Sequence, residues 1–113
     1  MTLEALRAFG ANTDEGMNRC MNNEAFYFRL IGMAAEDASF ERLAKAMEEN
    51  DLDAAFEAAH ALKGVMGNLA LTPIFTPASQ LTELLRAKTP GDYAAYLRQI
   101  LAKREELRAL CQG

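Results

Sequence analysis

The chain contains a single histidine, His60, and the residues around it are the ones whose types and spacing suit chemistry. They read Ala58-Ala59-His60-Ala61-Leu62-Lys63-Gly64-Val65-Met66-Gly67-Asn68-Leu69. On a helix turning ~100° per residue, Leu62 points nearly opposite to His60. Ala55, Ala59, Met66 and Leu69 gather around Leu62 as an inward stripe, which leaves His60 facing solvent. Asp53, Glu57, Lys63, Gly64 and Gly67 share its side of the helix. A neutral imidazole offers a free lone pair near neutral pH. Lys63, at i+3, reaches the same face. Each glycine inside a helix costs about 0.5–1 kcal/mol relative to alanine. Two of them beside an exposed histidine clear space for something to approach.

Other chemistries find little support. One histidine and two distant cysteines, Cys20 and Cys111, do not supply the ligand set of a zinc site. No glycine-rich phosphate loop occurs, and no nucleophile signature of the GxSxG kind. Acidic pairs such as Glu48-Glu49 and Glu105-Glu106 read as solvated faces. A net charge of −4 argues against nucleic acid as a partner. No run of about 18 apolar residues suggests a membrane span, and Met1–Arg7 lacks the basic start and apolar core of a signal peptide. The two cysteines read as free thiols, and the expected location is cytoplasmic.

A length of 113 residues, half of them hydrophobic, bounds the chain to one domain with one core. A start at Met1 favours a free-standing module. Two short helices open the chain, Thr2–Phe9 and one capped by Thr13, with Met17 and Cys20 or Met21 inward. They are too short to stand alone and are expected to cap a larger body. Asn22-Asn23-Glu24 starts a helix with Phe26, Leu30 and Met33 inward and Ile31 and Ala34 on the flank. A break near Glu36 is followed by a helix to Asn50, with Phe40, Leu43, Ala44 and Met47 inward. Asp51 caps the histidine helix, 51–68. Pro73 and Pro77 leave the next start open, either at Pro73 with a distortion or at Thr76, with Leu81, Leu84 and Leu85 inward. Thr89-Pro90 starts the last helix, with Tyr93, Leu97, Ile100, Leu101, Leu107 and Cys111 inward and Lys103, Arg104 and Arg108 outside. No strand pattern occurs. The expected fold is all-α: an up-and-down antiparallel four-helix bundle over 22–112, capped by short helices in 1–21.

Ala59-His60-Ala61-Leu62-Lys63-Gly64, continuing to Asn68-Leu69, resembles the signature of histidine-containing phosphotransfer (HPt) domains. The lead-in Asp51–Ala55 and the stretches Thr13–Met17 and Glu24–Leu30 match at the same spacing. The family often has glycine where this chain has Ala70, and Pro77 is unexpected within the following helix. The resemblance implies a phosphocarrier without autonomous kinase activity. His60 is the phospho-acceptor through Nε2, and Lys63 steadies the phosphate oxygens. Gly64, Gly67, Phe56 and Ala61 face the partner, although Phe56 also reads as the edge of the core. Gln80 or Thr82 orients the imidazole from the next helix, and Asn68 reads as a helix C-cap. Implied partners are receiver domains, which supply Mg²⁺, and a hybrid histidine kinase. The protein itself is expected to be a monomer that binds no metal. Two other readings compete: a helical adaptor that binds a signalling partner without phosphotransfer, and an enzyme using His60 as a general base. The adaptor has no need of His60 or Lys63, and the enzyme needs a pocket with further polar groups.

Overall fold

A computed structural model describes all 113 residues, Met1–Gly113. It contains seven helices and no strand: α1 Leu3–Phe9, α2 Thr13–Arg19, α3 Glu24–Ala35, α4 Ser39–Glu48, α5 Leu52–Asn68, α6 Thr72–Arg86 and α7 Tyr93–Gln112. No helix is long and apolar enough to cross a membrane.

Local chemistry sets most of the boundaries. Side-chain oxygens of Thr2, Asn12, Asn23, Asp51 and Asp92 each accept a backbone N–H in the first turn of the helix that follows. Gly10, at φ 113°, closes α1 in the left-handed region that glycine enters without strain. Two starts differ from expectation. Asn12, not Thr13, caps α2; Thr13 is buried and accepts a hydrogen bond from Arg7 Nε at 2.9 Å. Asp92, not Thr89-Pro90, begins α7, because its carboxylate reaches the N–H of Ala95. At the other end of α5, Asn68 is the last helical residue and Ala70 takes the left-handed turn at φ 57°. That is the position where the signature this chain resembles often has glycine.

α5 lies between α4 and α6; α7 packs on α6 and also meets α3 and α4. The core holds the predicted α5 stripe, with Ala55, Ala59, Leu62 and Met66 completely shielded from solvent. Phe40 and Leu43 of α4, Ile74 and Leu81 of α6, and Ile100 and Leu107 of α7 join it. Burial of each large apolar side chain contributes about 1.5–3 kcal/mol.

α3 is rotated from the expected stripe. Tyr27, Ile31, Ala34 and Ala35 are buried, while Phe26 and Met33 lie on the surface. Tyr27 is admitted because its hydroxyl donates to Leu69 O at 2.8 Å and because Gly16 of α2 has no side chain where the ring sits. Likewise Cys20 is buried and Met21 is exposed. Both cysteines are free thiols. Arg104, expected outside, is only 5% exposed. Its Nε donates to Ala35 O at 2.9 Å, its Nη1 to Glu41 at 2.9 Å, and its guanidinium lies 4.4 Å from the centre of the Phe40 ring. A buried arginine is tolerated when its donors and charge are matched in this way.

The end of the molecule near the α5–α6 turn is covered by the N-terminal segment. Asn12 N donates to Ala70 O at 2.9 Å, Arg19 Nη1 donates to Gly67 O at 2.6 Å, and Gly10 lies against Pro73.

Candidate functional site

His60 sits halfway along α5, on the side away from the core, and its side chain is exposed. Eight residues of helix precede it and eight follow, so its backbone is held on both sides. Ala59 and Leu62 anchor the helix beneath it. Phe56, one turn earlier and half-buried, stacks on the imidazole with ring centroids 5.7 Å apart and planes 13° apart.

His60, Lys63, Gly64, Gly67 and Asn68 of α5 and Phe75 of α6 line one shallow concavity of about 270 Å³. The two glycines differ in role. A Cβ at Gly64 would meet nothing within 4 Å, so this glycine leaves open space beside His60. A Cβ at Gly67 would come within 3.1 Å of the Phe75 ring, so this glycine lets α6 approach α5. Ala61 is exposed but belongs to the neighbouring groove, between α4 and α5.

α6 runs unbroken through Pro77, which lies buried inside it. The helix therefore starts at Thr72, with Pro73 in its first turn. This register removes both expected orienting residues from the imidazole. Thr82 is completely buried and its hydroxyl donates to Ala78 O at 2.7 Å. Gln80 lines a separate groove with Leu84, Asp92 and Tyr96 on the α7 side. The side of α6 that meets α5 carries Phe75, Glu83 and Arg86 instead. Glu83 Oε1 lies 3.9 Å from Lys63 Nζ, and the Arg86 guanidinium lies 5.0 Å from the centre of the Phe56 ring. These three were missed in the sequence because Pro77 left the register open. A helix accepted through Pro77 places 75, 83 and 86 near one side, eight and three residues apart.

No group of three His, Cys, Asp or Glu side chains gathers anywhere in the chain to hold a metal ion. The site presents one exposed imidazole, a cation one turn on, and open space over Gly64.

A family model described as the Hpt domain matches residues 31–112, which spans α4 to α7 and includes His60. No curated protein and no solved structure matches the chain. The family match covers most of the chain: the protein belongs to the Hpt domain family, the histidine phosphotransfer modules of phosphorelays.

Proposed function

We propose that the protein carries a phosphoryl group on His60, accepting it from the phospho-aspartate of one receiver domain and passing it to another. The observation that carries this reading is the placement of His60, exposed at mid-helix and sharing one concavity with Lys63 and the unobstructed Gly64. The donor receiver is part of a hybrid histidine kinase. The pairings α4–α5, α5–α6, α6–α7 and α4–α7 support an up-and-down four-helix bundle as the scaffold. In that arrangement residues 1–21 form a cap and 22–112 the bundle, in a single monomeric domain.

In the forward step the Nε2 lone pair of neutral His60 attacks phosphorus in line. The phosphorus–oxygen bond to the aspartate breaks and the carboxylate leaves with its electron pair. A nitrogen–phosphorus bond forms while the proton stays on Nδ1. Such transfers depend mainly on positioning and on stabilising charge over the three equatorial oxygens. Phe56 positions the ring by stacking. Lys63 supplies positive charge. Gly64 admits the receiver, which brings its own acidic pocket and Mg²⁺. The protein starts no phosphorylation from a nucleotide and acts as an intermediate in a cytoplasmic relay.

The test is incubation with a phosphorylated receiver domain. The wild type should acquire acid-labile, alkali-stable label, and His60→Gln should acquire none. Label that persists in His60→Gln, or a wild type that binds receivers without taking label, as an adaptor does, overturns the carrier reading.

A further inference from the structure

The carrier reading draws on α5, yet α6 brings two further charges to the same place. Arg86 rests against Phe56, and Phe56 stacks on His60, so the guanidinium is one side chain removed from the imidazole. Lys63 lines the His60 concavity from α5. A single carboxylate oxygen, Glu83 Oε1, serves both cations, 3.9 Å from Lys63 Nζ and 3.6 Å from Arg86 Nε. Neither cation has another acidic partner among the ion pairs of the molecule.

We propose that Glu83 is a positioning residue that holds Lys63 and Arg86 beside bare His60 and yields them to the phosphoryl group, and so sets how strongly the phosphoryl group is retained. This rests on the reading of His60 as the phosphoryl carrier. The two pairs are long, and the Glu83 side chain is 59% exposed. Exposed pairs of this kind are weak and screened by salt. A phosphoryl group on His60 carries up to two negative charges and three acceptor oxygens, against one charge and two oxygens on Glu83. It therefore takes both cations from the carboxylate. Separating the cations from Glu83 costs free energy in the phosphorylated state alone. Glu83 thus lowers retention of the phosphoryl group and favours handing it on. A stronger, buried pair would not release its cations. Without any pair, the two flexible side chains would be free to hold the phosphoryl group too well.

The experiment uses phosphoramidate as a defined donor. Its nitrogen–phosphorus bond breaks, ammonia leaves, and the phosphoryl group joins His60 Nε2. The equilibrium ratio of phospho-His60 to bare His60 is read by ³¹P NMR at a fixed ratio of phosphoramidate to ammonia. Glu83→Gln should raise that ratio about two- to fivefold, the range set by weak exposed ion pairs. In a Lys63→Ala/Arg86→Ala background the same substitution should change nothing. An unchanged ratio in Glu83→Gln overturns the clamp. An effect that persists without Lys63 and Arg86 also overturns it, because the carboxylate would then act by direct repulsion. Receiver transfer to wild-type His60 with an unchanged ratio removes the clamp alone. Absence of any receiver transfer removes the carrier reading and the clamp with it.

Discussion

A Cβ added at Gly64 meets no atom within 4 Å, whereas one added at Gly67 comes within 3.1 Å of two ring carbons of Phe75. Gly64→Ala should therefore stabilise the fold by about 0.5–1 kcal/mol, the helix propensity that glycine forgoes. Gly67→Ala should return less than this, because Phe75 must shift. Thermal unfolding of the two variants measures the difference. A long side chain at the same site separates fold from function. Gly64→Gln should melt no lower than the wild type yet slow transfer from a phosphorylated receiver by about 10- to 100-fold, the effect of displacing reacting atoms by about 1 Å. Both glycines stood out in the sequence as costly residues beside His60. Which of them clears space and which admits a neighbour depends on where Phe75 lies, and the α5 sequence does not carry that information.

Among the elements, α7 is joined to α3 and α4 by polar groups that the sequence assigned to the surface. Arg104 supplies a donor to the carbonyl of Ala35, the last residue of α3, and to Glu41 of α4. Arg108 pairs with Glu36 just beyond α3. Arg104→Met keeps most of the apolar stem but strands the buried Ala35 carbonyl, at a cost of about 1–3 kcal/mol. The hydrogen bond from Arg104 holds the Glu41 carboxyl below the usual carboxylate range, and the hydrogen bond from Arg108 does the same for Glu36. A depressed carboxyl stabilises the fold fully above the ordinary carboxylate pKa. That contribution is lost as pH falls through the lower folded value. Stability of the wild type should therefore drop in acid, and Arg104→Met should show a shallower drop. Chemical denaturation across the acid range checks both the offset and the slope. Charge patterning alone misplaced Arg104, because an arginine is counted as exposed until a buried acceptor is known to face it.

For the molecule as a whole, Tyr27 joins three parts that are distant in sequence. Its ring fills the space left by Gly16 in α2, its backbone belongs to α3, and its hydroxyl reaches Leu69 at the end of α5. Burial pushes the phenol up to about 12, and the nearby Cys20 thiol adds to the shift. A raised folded value favours the neutral phenol. The associated stability is present below the ordinary tyrosine pKa and is lost as pH rises from there toward about 12. Tyr27→Phe should remove this alkaline loss and cost about 1–3 kcal/mol at neutral pH, because the buried Leu69 carbonyl loses its donor. Absorbance of tyrosinate during an alkaline titration should show one fewer late-titrating group in the variant.

Periodicity and caps were enough to read the helical class, the break near Glu36, the inward stripe of α5 and the outward placement of His60. Each of these depends on residues within a few turns of one another, and the large apolar residues of α5 lie mainly on the side opposite His60. The remainder needed contacts between distant residues. Phe26, Tyr27 and Phe28 are three successive aromatics, and all are apolar enough to face a core. Tyr27 is chosen because Gly16 makes room for it and the Leu69 carbonyl accepts a hydrogen bond from its hydroxyl. Pro77 left two registers open for α6, and packing against α5 and α7 selects the one that buries Thr82, turns Gln80 away and brings Phe75, Glu83 and Arg86 alongside the histidine helix. His60 could be found one helix at a time; the residues that surround it belong to two helices, and their relative rotation is a property of the packed core.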